Sequence, residues 1–175
     1  MNQKIKTLLS DLEEYNKKHF MFNIPRETGE FLNFLIKIKN PKKILEIGTS
    51  NGYSTIFIAS NRVEVFTIEQ DKEKIKLAKE NFKKANLKNI KILEGNALEI
   101  LKNLKDKFDF VFIDATKREY LKYFKLIKLN KDAMIIADNI ITHKEKLDEY
   151  IKYVREHYKS FLLKNGNGLE ITFVP

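Results

Sequence analysis

Four side chains that could bind a metal ion or move a proton follow two apolar runs in the second half of the chain. Asp114 comes directly after Phe-Val-Phe-Ile, with Lys117 three residues later, and Asp138 and Asn139 come directly after Met-Ile-Ile-Ala. Carboxylate and amide oxygens suit Mg²⁺, Mn²⁺ or Ca²⁺, whereas Zn²⁺ prefers His and Cys. If the two runs are adjacent parallel strands, these groups converge, and a cation would relieve the repulsion between the carboxylates. The alternative is that both aspartates only cap helices.

A second candidate site lies in residues 44–54, where an apolar run containing Glu46 meets a turn that begins at Gly48 and leads into an apolar helix. Such a turn leaves backbone N–H groups free at the start of the helix. The acid suits a cationic ligand head and the helix start suits a carboxylate, the two charges found at the methionine end of S-adenosylmethionine. Pyrophosphate binding is disfavoured, because Ser50 stands where the G-x-G-x-x-G loop needs its second glycine.

Two further positions could contact an adenosine-type ligand. Glu69 ends the apolar run 63–68, about 20 residues after Gly48, where an acid can accept hydrogen bonds from both ribose hydroxyls. NAD carries the same ribose, and an acid at a helix entry is the simpler alternative. Asn96 and Ala97 follow the next apolar run and could border an adenine, although Asn is also a favoured N-cap residue.

The elements that must position these groups alternate between strands and helices. Helical spacing predicts an amphipathic helix over residues 3–18 and a second helix between Pro25 and Asn40. Its inward side chains are predicted to be Phe31, Leu32, Leu35 and Ile38. Strands are predicted at 44–47, 63–68, 90–93, 108–113 and 133–137, with helices between them, and a hairpin around 165–168. We therefore predict an α/β fold, Rossmann-like, with a mostly parallel seven-stranded sheet, helices on both faces and a C-terminal antiparallel hairpin.

Composition limits the remaining possibilities. The length favours a single domain, 1–175, in which residues 1–40 form a helical cover and residues 41–175 a Rossmann-like core. The chain has 33 Lys and Arg against 24 Asp and Glu, but the lysines are scattered over every predicted helix, which argues against a dedicated nucleic-acid surface. No apolar segment suits a membrane span or signal peptide, so we expect a cytoplasmic protein with no membrane partner.

Taken in order, these motifs resemble the cation-dependent, S-adenosylmethionine-dependent O-methyltransferases related to catechol and caffeoyl-CoA O-methyltransferases. The resemblance runs from about Ile24 to the C-terminus and implies a class I methyltransferase fold. It implies Lys117 as the catalytic residue and metal ligands at Asp114, Asp138 and Asn139. The cofactor contacts that it implies are Glu46, Gly48, Tyr53, Ser54, Glu69, Asn96, Ala97 and Asp114.

The resemblance implies methyl transfer from S-adenosylmethionine to a hydroxyl of a small catechol-like acceptor. A divalent cation, with Mg²⁺ expected first, would orient the hydroxyl, and Lys117 would take its proton. Relatives commonly have Asp where this chain has Thr116, and a longer segment after Asn139, so we expect an open acceptor pocket. His143 lies nearby, although a lone loop His is more often a surface residue.

Two alternatives stay open beside the small-molecule acceptor. An open pocket and a basic chain also suit a tRNA-modifying enzyme that acts on a hydroxylated uridine, as some relatives do. The other alternative is a cofactor-binding protein without methyl transfer. Because relatives are often dimers, a homodimer is a further expectation.

Overall fold

A computed structural model describes residues 1–175, and its centre is one seven-stranded sheet. The strands are β1 Lys43–Ile47, β2 Glu64–Glu69, β3 Ile90–Glu94, β4 Phe108–Ile113, β5 Leu129–Ala137, β6 Lys159–Leu163 and β7 Leu169–Phe173. Their order across the sheet is β3-β2-β1-β4-β5-β7-β6. The first five strands in this order are parallel, and β7 is antiparallel to both β5 and β6. The predicted fold class, including the C-terminal hairpin, is confirmed.

Seven helices cover the two faces of the sheet. They are α1 Gln3–His19, α2 Arg26–Lys39, α3 Tyr53–Ala59, α4 Lys72–Ala85, α5 Ala97–Asn103, α6 Tyr120–Leu126 and α7 Lys144–His157. Helices α1 to α4 bury apolar side chains in one core and α5 to α7 in the other. Helix α3 is buried on every side, and α1 packs on α3 and α4. Helices α1 and α2, the predicted cover, therefore share a core with α3 and α4. None of the helices is long and apolar enough to cross a lipid bilayer.

Three details of the predicted elements were wrong. Ile38 is 67% exposed, because the buried stripe of α2 runs through Leu32 and Ile36 and places Ile38 on the opposite side of the helix. Strand β5 begins at Leu129 instead of 133, and its pairing with β4 shifts register between Phe108 and Phe110. A 3₁₀ turn, Lys117–Glu119, precedes α6 in the connection between β4 and β5, where the sequence predicted a single helix.

The strand order brings the carboxyl ends of the central strands to one edge. Strand β1 lies between β2 and β4, so the chain leaves it on one side and returns on the other, which creates a crevice at the strand ends. The amide of Asp114 donates to the carbonyl of Ile47, and the amide of Asp138 donates to the carbonyl of Ile113, both at 3.0 Å. The residues that follow β1, β4 and β5 therefore stand side by side.

Candidate active site

A cavity of 340 Å³ opens at this edge of the sheet. Most of the site residues predicted from the sequence line it, namely Gly48, Tyr53, Ser54, Glu69, Asn96, Ala97, Asp114 and Lys117. Three do not line it: Glu46 and Asp138, which are completely buried, and Asn139, which is 8% exposed. The volume lies within the range of small-molecule sites, and the lining combines apolar walls with a few polar groups.

The glycine turn brings β1 and β4 into close contact. Gly48 has φ 103°, and a Cβ at this position would collide with the backbone carbonyl oxygen of Asp114, so only glycine fits. Ser50 also has a positive φ, 48°. Its amide donates to the Glu69 carboxylate at 2.9 Å, and its hydroxyl donates to the carbonyl of Met21 at 3.0 Å. The turn is thus tied both to the end of β2 and to the segment before α2.

The Glu69 carboxylate is held in place by backbone donors. Besides the Ser50 amide, it accepts the amides of Gln70 at 2.9 Å and Asp71 at 3.0 Å. A carboxylate offers about four lone-pair positions, so Glu69 can still accept from a ligand hydroxyl in the cavity.

Asn96 has a structural role as the N-cap of α5. Its side-chain oxygen accepts hydrogen bonds from the amides of Leu98 and Glu99.

Glu46 lies behind the cavity wall. It accepts hydroxyl hydrogen bonds from Ser54 at 2.6 Å, from Thr67 at 2.6 Å and from Thr55. Burial raises the pKa of Glu46 to about 7, and the three hydroxyl donors oppose this rise. The carboxylate therefore fixes Ser54 at the wall, and the Ser54 proton points to Glu46. A direct contact of either residue with the cofactor remains a prediction.

The predicted metal ligands gather beside Lys117 at the ends of β4 and β5. Asp114 Oδ1 accepts from Lys117 Nζ at 2.8 Å, and both side chains are 19% exposed. The Lys117 ammonium also lies 5.7 Å from the centre of the buried Tyr120 ring. Asn139 adopts φ 67°, and its amide nitrogen is 3.4 Å from Asp138 Oδ2. The structure therefore brings together all four groups that the sequence singled out.

Asp138 is the unusual member of this group. Its Oδ1 is buried and has no hydrogen-bond partner. Burial raises the pKa of Asp138 well above the ordinary carboxyl value, and the nearby charge of Asp114 raises it further. An orphaned carboxylate oxygen beside a second carboxylate fits a hard divalent cation. The chain has no cluster of three or more His, Cys, Asp or Glu side chains that could hold a metal, so this candidate depends on two carboxylates and one amide.

The chain after Asn139 turns directly into α7. The amide of His143 donates to the carbonyl of Asn139 at 2.9 Å, and α7 begins at the next residue. The His143 ring nitrogen Nδ1 lies 3.1 Å from the Thr142 hydroxyl, and the side chain does not line the cavity. Burial and the charge of Lys117 lower the pKa of His143. This short connection leaves no insertion over the ends of β4 and β5.

Two groups at the site were missed from the sequence. The Tyr53 hydroxyl donates to Glu13 of α1, which also pairs with Arg26 Nε at 2.9 Å, so α1 and α2 are tied to the cavity wall. Glu13 is forty positions from Tyr53, and no local pattern connects them. Thr55 and Thr67 are the second group that was missed. The sequence did contain a signal for them, because a hydroxyl inside an apolar run needs a buried hydrogen-bond partner.

The fold and the site together define a class of protein. A mostly parallel seven-stranded sheet with an antiparallel hairpin, and a glycine-turn cavity at its central strand ends, is the architecture of class I methyltransferases. A family model described as O-methyltransferase matches residues 2–166. The chain therefore belongs to the O-methyltransferase family.

Individual relatives agree with this family. A catechol O-methyltransferase of Niastella koreensis is 37% identical over 131 residues, which cover 69% of this chain and 59% of the relative. Caffeoyl-CoA O-methyltransferase 1 of Eucalyptus globulus is 31% identical, covering 92% and 72%. The crystal structure of a Bacillus cereus O-methyltransferase in complex with SAH superposes with a TM-score of 0.88 at 26% identity, covering 97% of this chain and 91% of that one. The chain thus spans about three fifths of the length of the first relative.

Proposed function

We propose that this chain is an S-adenosylmethionine-dependent O-methyltransferase that methylates a hydroxyl of a small catechol-like acceptor. A divalent cation assists the reaction, and Mg²⁺ is the first candidate for it. The observation that carries the proposal is the group formed by Asp114 and Lys117, which line the cavity, and by Asp138 and Asn139, which follow the neighbouring strand without lining it. Family membership and the SAH-bound Bacillus cereus relative support the cofactor.

The cofactor half of the cavity offers contacts for adenosine and for the methionine end. Glu69, fixed by three backbone amides, can accept a ribose hydroxyl, and Asn96 and Ala97 border the same wall. Tyr53 and Ser54 line the opposite part, held by Glu13 and Glu46. Because these side chains are already oriented by the protein, little conformational entropy is lost when a ligand binds. S-adenosylmethionine would supply an activated methyl group on a sulfonium.

In the acceptor half, Asp114, Asp138 and Asn139 would hold the cation. Mg²⁺ bound there would supply Lewis-acid chemistry that lowers the pKa of the acceptor hydroxyls. Lys117 reaches the same edge and is in position to take the hydroxyl proton. A lysine accepts a proton only as the neutral amine, so Lys117 would first release a proton to the solvent, which also ends its ion pair with Asp114. The acceptor oxygen then gains the methyl group as the carbon–sulfur bond breaks, and the sulfonium leaves as a thioether.

Methyl transfer from labelled S-adenosylmethionine to 3,4-dihydroxybenzoate tests the proposal. We expect O-methylated product in Mg²⁺, no product in EDTA, and recovery when Mg²⁺ is restored. Binding of S-adenosylhomocysteine, measured by calorimetry in EDTA, shows whether the chain is still folded. Full turnover in EDTA would refute the cation, and binding without any product would favour a cofactor-binding protein without this activity.

A further inference from the structure

Positive charge is concentrated on one helix and the strand that follows it. Residues 72–91, which comprise α4 and the start of β3, contain eight lysines and two glutamates. Their net charge of +6 is most of the +9 of the whole chain. Helix α7 has the same length as α4 but carries four basic and four acidic side chains. Lysines do occur on most of the other helices, but their density is highest in this segment.

Four of these lysines form a stripe along α4. Lys72, Lys76, Lys79 and Lys83 follow one another at spacings of four, three and four residues, so they share one side of the helix over about 16 Å. All four are exposed, as are Lys84, Lys88 and Lys91. Of the eight lysines, Lys79 alone forms an ion pair, with Glu94 of β3 at 2.6 Å. The charge of this surface is therefore largely uncompensated by the protein.

A groove of 560 Å³ adjoins the stripe at the free edge of the sheet. Lys79, Lys83 and Lys88 border it, and its floor includes the apolar side chains Leu87 and Ile90. The amino end of α4 reaches the active-site cavity, where Lys74 is part of the lining. Lys74 is two residues from both Lys72 and Lys76, so it lies on the opposite side of α4 from the stripe.

The composition of the surface indicates which polyanion it suits. Protein interfaces are depleted in Lys and enriched in aromatic residues and Arg, but residues 72–91 contain no Arg and one aromatic residue, Phe82, which is buried. A membrane surface also fits poorly, because every exposed large hydrophobic side chain lies outside this segment. Exposed lysines with no bidentate partner are suited to phosphates, which they bind as point charges.

We propose that the lysine stripe of α4 and the adjoining groove at β3 bind the phosphate backbone of RNA without reading its sequence. The choice of RNA over DNA rests on the proposed hydroxyl methylation, because RNA carries a hydroxyl on every ribose. The positive charge of α4 and β3 is present whether or not the chain methylates a hydroxyl. Binding should therefore persist in variants that have lost methyl transfer.

The test is fluorescence anisotropy with a labelled single-stranded RNA of about 16 nucleotides, measured from about 50 to 200 mM salt. A variant with Lys76→Gln, Lys83→Gln and Lys84→Gln loses three charges from α4. Its matched control, Lys144→Gln with Lys146→Gln and Lys152→Gln, loses three from α7. Each lost phosphate contact should flatten the slope of log K against log salt by about 0.7, so the α4 variant should lose about 2 units of slope.

We expect the α4 variant to bind RNA at least about tenfold more weakly at low salt, while the α7 control and an Asp138→Asn variant bind like the wild type. Catechol methylation by the α4 variant should be unchanged, which separates this proposal from the proposed function. Equal loss in the α7 control would show that only net charge matters and would overturn the proposal. Unchanged binding in the α4 variant, or binding of polyglutamate in place of RNA, would overturn it as well.

Discussion

The two completely buried carboxylates nearest the cavity, Glu46 and Asp138, have opposite surroundings. Both follow the same physical rule, in which burial raises the carboxyl pKa. Glu46 accepts hydrogen bonds from three hydroxyl groups, so both of its oxygens have partners within the protein. Asp138 has an oxygen with no partner and a second carboxylate, Asp114, nearby. The difference separates an acid whose two oxygens both accept hydroxyl hydrogen bonds from an acid with one oxygen that no donor reaches.

The largest effect should come from Asp138→Asn, which keeps the shape of the side chain but removes its charge. Cation assistance contributes several kcal/mol, so we expect turnover of a catechol probe to fall about 10³-fold. Affinity for S-adenosylhomocysteine should stay within about twofold of wild type, since Asp138 does not line the cavity. Calorimetry and a turnover assay measure the two effects. Intact turnover in this variant would remove the distinction between the two carboxylates.

Glu46→Gln makes the same acid-to-amide change in the other buried carboxylate as Asp138→Asn makes in the first. The pKa of Glu46 is raised from 4.5 to about 7 in the folded state, so the folded chain binds this proton more tightly than the unfolded chain. The wild-type free energy of unfolding should therefore fall as pH rises from 4.5 to about 7, by up to about 3 kcal/mol from this group. In Glu46→Gln this part of the pH-dependent decrease in unfolding free energy should be absent. In the exposed control Glu149→Gln it should be present. Urea unfolding across this pH range measures it, and identical pH profiles for wild type and Glu46→Gln would contradict the assignment.

Lys117→Met removes the amine that is proposed to take the acceptor's proton. Methionine keeps much of the length of the lysine side chain but cannot take a proton, so we expect turnover to fall about 10²-fold with cofactor affinity nearly unchanged. The exposed Lys122→Met is the control, because it removes the same charge five residues away. Steady-state kinetics of both variants distinguish a loss of proton transfer from a general effect of removing one positive charge. If Lys117→Met mainly weakens cofactor binding, the lysine has been assigned the wrong role.

Glu69→Gln should give the smallest of the four effects. The amide keeps one acceptor for the backbone donors but weakens the hydrogen bonds to ribose, which predicts about tenfold weaker binding of S-adenosylhomocysteine. Turnover at saturating cofactor should hardly change, since Glu69 is on the cofactor side of the cavity. Calorimetry measures the affinity. A large loss of turnover at saturation would mean that the two halves of the cavity are not separable.

The positions of the strands, and hence of the site, were largely predictable from the sequence. Apolar runs with abrupt polar ends are local signals, and the parallel topology then brings Gly48, Asp114 and Asp138 to one edge. Ile38 was misplaced because an apolar residue on α2 does not reveal which side faces the sheet.

The partners of the buried acids were not predictable in the same way. Nothing local to Glu46 shows that Thr67, on the neighbouring strand, will donate to it, because that contact depends on strand register. The contact between Tyr53 and Glu13 depends on how α1 packs. For Asp138 no local pattern showed that one oxygen would have no partner. The helix-cap alternative does not hold for this residue, because the next helix, α7, begins only at Lys144.

The most direct test of the account is a titration of the wild-type chain and the Asp138→Asn variant with Mn²⁺, followed by electron paramagnetic resonance in the presence of S-adenosylhomocysteine. Asp114, Asp138 and Asn139 are predicted to bind one Mn²⁺ per chain in the wild type. The variant should lose this binding while Glu46→Gln retains it. Absence of Mn²⁺ binding in the wild type, or equal binding in Asp138→Asn, would contradict the assignment of Asp138 as a metal ligand.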